Sequence, residues 1–138
     1  MNPVDARIVA LQLAKLDQIV ARRTANAAAI VARIREFEGL FSVQPAEQHV
    51  YTKLPVRLKD AEQMKQFRRH MRTRGIELEG MYTPLHLREF CAGYRRGVLR
   101  NSEQFYPCVM NVPVRPDLTD AEVERIASAI KSFGAAHE

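Results

Sequence analysis

The sequence predicts an α+β fold. A long N-terminal helix leads into strand, helix, strand, strand and helix, with the helices on one face of a three-stranded, mainly antiparallel sheet. Three observations predict it. An apolar helical period runs from about residue 3 to residue 38. Capping-box patterns at Asp60–Gln63 and Thr119–Glu122 each precede an amphipathic stripe. Short runs with partial alternation lie before the first of these capped helices and between the two. At 138 residues the chain fits a single domain, 1–138.

The first helix opens on Asn2-Pro3, an N-cap followed by proline at the first helical position. Asp5 in the first turn suits the helix dipole. Val4, Ile8, Leu11, Leu16, Ile19, Val20, Ile30, Val31, Ile34 and Phe37 mark its apolar face, and Gly39 is the expected C-terminal cap. A helix of about 36 residues would be roughly 54 Å long. That exceeds the width of so small a domain, so part of it should project, bend or pack on another chain. After a loop through Pro45, residues 48–58 read as a strand, with Pro55 marking an edge or a bulge.

The helix after Asp60 carries Met64, Phe67 and Met71 on one face and ends at Gly75. Residues 76–79 alternate and form the second strand. Residues 80–101 lack a period and form a long irregular connection, the kind of loop that is usually functional or mobile. Ser102 is the expected cap of a short helix that Pro107 interrupts. Residues 108–114 are the third strand, expected between the first two and antiparallel to both. The crossover between the first two strands is expected to be right-handed. Val123, Ile126, Ala127, Ile130 and Phe133 are the buried stripe of the last helix, closed by Gly134.

The composition, 46% hydrophobic and 27% charged, fits a globular protein and argues against disorder. There is no apolar run long enough for a transmembrane helix, and the first residues have no signal-peptide pattern. Cys91 and Cys108 are too few for a disulfide scaffold, which predicts a reduced, cytoplasmic setting. The net charge is +5, and 16 of the 21 basic residues are arginine. They are scattered in small clusters such as Arg22-Arg23, Arg68-Arg69-His70 and Arg95-Arg96, which read mostly as solvated helix faces.

Standard catalytic motifs are absent. The histidines at 49, 70, 86 and 137 are far apart, so no metal site is expected. Of the five lysines, four read as solvated helix residues and Lys53 as an edge-strand charge. The most unusual stretch is Gly80-Met-Tyr-Thr-Pro-Leu-His86, at the mouth of the long loop. Two readings stand side by side: a turn with Tyr82 packed on the sheet, or a strand end that presents Tyr82 and His86 to a ligand.

Four stretches together carry a resemblance that covers essentially the whole chain. The opening Met1–Asp17, with Ala6, Gln12-Leu13 and Leu16-Asp17, continues through Arg22-Arg23, Asn26 and Ile34. Tyr82-Thr-Pro-Leu-His86 is the second, and Ser102-Glu103 followed by Val112-Pro113 is the third. Pro116-Asp-Leu-Thr-Asp-Ala-Glu-Val123 is the fourth. In this order they resemble the C-terminal part of DegT-type sugar aminotransferases, pyridoxal-phosphate enzymes of fold type I that aminate keto-sugars, often nucleotide-linked, or cyclitols.

The resemblance implies that this is the small C-terminal domain, with residues 1–38 as the helix linking it to a larger domain. The larger domain would supply the Schiff-base lysine and most cofactor contacts. No catalytic or cofactor-binding residue is therefore expected here, and pyridoxal phosphate is not expected to bind this chain alone. Tyr82 and His86 are carried over as lining the substrate opening, and Asn2 as a candidate near the domain junction. The expected partners are the large domain, a keto-sugar or cyclitol in the complete enzyme, and a second copy of the chain, since the linking helix should expose apolar surface. Two other readings remain: a basic α+β module for nucleic acid, disfavoured by scattered arginines and no paired exposed aromatics on the strands, and a regulatory subunit of a complete aminotransferase.

Overall fold

The computed structural model describes residues 2–43, 49–94 and 97–137. Two helices, α1 (Pro3–Leu13) and α2 (Leu16–Arg35), occupy the predicted long helix. Asn2 caps α1 as expected: its Oδ1 accepts a hydrogen bond from Val4 N at 2.8 Å, with Pro3 next in line. The single-helix expectation is corrected at Ala14-Lys15. There Lys15 N donates to Gln12 O at 3.0 Å, a tighter step than the α-helical one. Neither proline nor glycine stands at this break, so no sequence signal marks it.

Helix α2 ends before Gly39, which is not its cap. Glu36 and Phe37 donate to the Arg33 and Ile34 carbonyls, and Leu40 and Phe41 both close onto Phe37 O. This run of turns delivers the chain into β1 (Phe41–Ser42). The other strands are β2 (Leu54–Leu58), β3 (Glu79–Gly80) and β4 (Val109–Val112).

Among the described residues the sheet therefore has four strands instead of three, in the order β1-β2-β4-β3, and every neighbouring pair is antiparallel. Strand β4 lies between β2 and β3, as the sequence predicts. The two-residue β1 was invisible because two residues carry no alternation. Pro55 is on an inner strand, not an edge. It is accommodated because β1 pairs only with Arg57 and Leu58, and Pro55 lies beyond that pairing. The expected strand 48–58 shrinks to Leu54–Leu58. Residue 48, Pro45 and the Arg95-Arg96 cluster lie outside the described residues. Tyr51, with φ 45°, turns the chain ahead of β2.

Helices α3 (Ala61–Thr73), α4 (Arg100–Phe105) and α5 (Asp120–Gly134) complete the fold. Only half of the expected first capping box forms. Asp60 Oδ1 accepts from Glu62 N and Gln63 N, both at 2.9 Å, while Gln63 Oε1 is buried with no hydrogen-bond partner among the described residues. The second box is complete: Thr119 Oγ1 accepts from Glu122 N, and the Glu122 carboxylate accepts from Thr119 N. Helix α4 starts two residues before Ser102, which therefore sits inside it and not at its cap.

Leu54, Val56 and Leu58 alternate with exposed Pro55 and Arg57, so one face of β2 meets the core. That core joins the sheet to Ala27, Ile30 and Ile34 of α2, Met64, Phe67 and Met71 of α3, and the stripe of α5. At its centre Phe67 packs edge-on against Phe41 and Phe133, with centroids 5.2 and 5.1 Å away.

Candidate functional site

The sheet register places Arg57 opposite Val109 and Pro55 opposite Asn111, on the face turned away from the helical core. The long connection after β3 lies over this face. The expected irregular connection contains regular turns, since 3₁₀ turns form at Leu85–Leu87 and Glu89–Tyr94 ahead of α4. Val109 and Cys108 are buried and belong to no part of the main core.

Four contacts fix the segment. Asn111 Nδ2 is 3.7 Å from Met81 Sδ, and the Arg57 guanidinium lies 5.5 Å from the centre of the Phe105 ring. The hydroxyls of Thr83 and Tyr106 are hydrogen-bonded at 3.0 Å. His86 Nε2 meets Glu103 Oε1 of α4 at 3.2 Å.

The three sequence-predicted site residues meet different fates. Tyr82 is 82% exposed, so the reading in which it packs on the sheet is set aside. Its ring has the Lys53 ammonium 5.2 Å from its centre, and Lys53 is itself ion-paired to Glu79. That carboxylate holds the Lys53 ammonium above its ordinary range, by a hydrogen bond first and by charge second. The His86 side chain is only 12% exposed and turns toward α4 rather than into solvent. Asn2 is exposed, but its side-chain oxygen is taken by the α1 cap, and no described contact joins it to Tyr82 or His86.

Sequence reasoning missed the latch that α2 builds across the domain. Arg22 Nη2 donates to Leu118 O and meets Asp120 Oδ1, each at 2.7 Å. Arg23 Nη1 donates to the carbonyls of Tyr51 and Thr52, at 3.3 and 3.2 Å. Asn26 is 1% exposed and donates from Nδ2 to Arg115 O at 2.8 Å. These three side chains hold the loops at the ends of β2 and β4, and satisfy carbonyls that no strand or helix would satisfy. The signal was present: Arg22-Arg23 and Asn26 were among the residues carrying the resemblance, although Arg22-Arg23 by charge alone reads as a solvated pair.

The DegT/DnrJ/EryC1/StrS aminotransferase family matches residues 1–131. The chain belongs to this family.

Among its relatives, a dTDP-3-amino-3,6-dideoxy-alpha-D-galactopyranose transaminase from Aneurinibacillus thermoaerophilus is 26% identical over 136 residues, 97% of this chain and 37% of that protein. A pleiotropic regulatory protein from Geobacillus stearothermophilus is 24% identical over 140 residues, again 37% of its length. The crystal structure of the aminotransferase TlmJ from Streptoalloteichus hindustanus superposes with a TM-score of 0.88 at 26% identity, covering 99% of this chain and 37% of that one. DesV from S. venezuelae gives 0.81 at 27% identity, covering 92% and 35%. The chain thus spans little more than a third of the length of these family members.

Complete DegT-family aminotransferases use pyridoxal phosphate, and the donor set of this family member can be tested against that group. A complete site needs an amine to hold the cofactor and a carboxylate set against its ring nitrogen. All five lysines lie among the described residues, and none is buried. Lys53, Lys65 and Lys131 are ion-paired to Glu79, Glu62 and Glu36, while Lys15 precedes α2 and Lys59 is exposed. This set does not fit the cofactor: no lysine is buried, and three are held by carboxylates. Among the described residues no three His, Cys, Asp or Glu side chains group as a metal site, and no helix is long and apolar enough to cross a membrane.

Proposed function

We propose that this chain acts as the small C-terminal domain of a pyridoxal-phosphate aminotransferase that aminates a keto-sugar, nucleotide-linked, or a cyclitol. In this reading it supplies substrate-side contacts and surface for association, and chemistry is completed by a larger domain that carries the lysine. The observation that carries the reading is the family match over residues 1–131 in a chain whose own lysines are all surface-exposed or ion-paired. Tyr82 is the residue assigned to the substrate opening, since a rigid sheet edge holds its loop while the ring faces outward. His86 positions that loop through Glu103, and Asn2 sits by the junction with the larger domain. The exposed apolar side chains of α1, with Val4, Ile8 and Leu11 on one side and Leu13 on the other, are the surface assigned to the larger domain and to a second copy.

The test is a graft. This chain replaces the matching segment of the Aneurinibacillus transaminase, and amine formation on that enzyme's keto-sugar is followed. The expected result is cofactor absorbance equal to the parent's, measurable turnover, and a fall in kcat/KM on Tyr82→Ala. A graft that holds the cofactor yet aminates no sugar overturns the reading.

A further inference from the structure

A cavity of about 580 Å³ is lined by neither Tyr82 nor His86, although Lys53 at its rim also meets the Tyr82 ring. It opens between the turn after α3, the far end of β4 and the first turns of α5. Gly75, at φ 71°, makes that turn: its N–H donates to Arg72 O, and Ile76 N donates to Met71 O, both at 3.0 Å. The reversal sets Ile76 and Leu78 into the cavity floor beside Val114 and Ile126, all buried.

Six charged side chains line the cavity, and four of them are already committed. Lys53 is paired with Glu79, and Arg115 with Asp117 at 3.4 Å. The Glu122 carboxylate accepts from Thr119 N and Oγ1, at 2.8 and 2.9 Å. Glu77, leading into β3, and Arg125, on α5, make no hydrogen bond or ion pair among the described residues. Arg125 lies near enough to Glu122 to help hold its carboxyl below the ordinary range, behind the larger effect of the Thr119 bonds.

One cavity therefore carries an uncommitted cation and an uncommitted carboxylate on different elements over an apolar floor. We propose that it binds a small zwitterion, an α-amino acid, with its carboxylate on Arg125, its ammonium on Glu77 and its side chain over Ile76 and Ile126. A simple anion would meet Glu77 and a simple cation would meet Arg125, so each is disfavoured by one of the two charges. The volume suits a small molecule. Both charges are exposed, so the affinity is on the order of 1 mM. The site stands apart from the sugar-amination reading, and either can fail alone.

The test is a titration of the full ¹⁵N-labelled chain, read by amide chemical shifts, with L-leucine, L-glutamine, acetate and methylammonium. The expected result is a saturable shift at residues 76–79 and 112–115 with both amino acids and none with the single-charge probes. Arg125→Gln and Glu77→Gln should each weaken binding roughly three- to tenfold, with melting temperatures unchanged because both side chains are exposed. No saturable shift with either amino acid, equal shifts with acetate, or binding indifferent to both substitutions would overturn the proposal.

Discussion

Helices α1 and α2 follow one another in sequence and are held by different things. Helix α1 has the stronger local signals: an asparagine cap with its hydrogen bond made, proline next to it and an acid in the first turn. It buries no residue at all. Helix α2 starts at Lys15 with no side-chain cap, yet it buries Asn26, Ala27, Ile30 and Ile34 and anchors two loops through Arg22 and Arg23. Local chemistry can start a helix, but what ties it to a fold is the face it buries. The packed body of α2, α3, α5 and the sheet is then the expected cooperative unit, and α1 is an appendage that leaves its apolar side chains exposed.

Substitutions at the centre of the body sharpen this contrast most. Phe133→Ala removes the ring that packs on Phe41 and Phe67, and should cost about 3–5 kcal/mol in denaturant unfolding. A loss below about 1 kcal/mol would mean that the body does not unfold as one unit.

Gly134→Ala comes next. Gly134 does not end α5 by adopting a left-handed conformation; it lies within the helix and lets Phe37 approach. A Cβ there would sit 2.5 Å from Phe37 Cγ and Cδ2. Overpacking of this kind should cost about 1–3 kcal/mol, measured the same way.

A smaller effect comes from pH. His70 of α3 bonds to Ala129 O and Ser132 Oγ of α5, at 2.9 and 3.0 Å. Burial lowers its pKa below 6.5, aided by the nearby charges of Arg74 and His137 and opposed by the Ala129 hydrogen bond. The unfolded state therefore binds the proton more readily. The His70 contribution is intact above 6.5 and is lost as pH falls through the lower folded value. Melting at about pH 7.5 and 5.5 should show this loss, and His70→Gln should flatten part of the slope.

The smallest effect on stability belongs to α1. Ile8→Gln with Leu11→Gln should change unfolding by less than about 0.5 kcal/mol, because both side chains are exposed. The same pair should abolish concentration-dependent association in light scattering. A wild-type chain that stays a monodisperse monomer at every concentration would remove α1 as an association surface. A large loss of stability in the variant would make α1 part of the body.

The long connection repeats the contrast at a second place. From residue types alone its Tyr82-Thr-Pro-Leu-His86 stretch read equally as a packed turn or as a strand end facing a ligand, and Tyr82 and His86 meet opposite fates: one outward beside Lys53, one inward onto Glu103. Direction depends on what covers the back of the sheet, and no spacing in the sequence encodes that. The Lys53–Glu79 pair likewise joins residues far apart in the chain, brought together because β2 and β3 flank β4.

By itself the sequence determined the helices with strong stripes, the Asn2 and Thr119 caps, the Gly75 stop, the central place of the third predicted strand and the family, because each depends on residues close in the chain or on order along it. Tertiary structure alone decided the two-residue β1, the place of Pro55 on an inner strand, the Arg22–Asn26 latch and the closeness of Gly134 to Phe37. Each of these depends on which backbone groups and side chains from distant segments meet. That meeting is fixed by the shared core, not by any local preference.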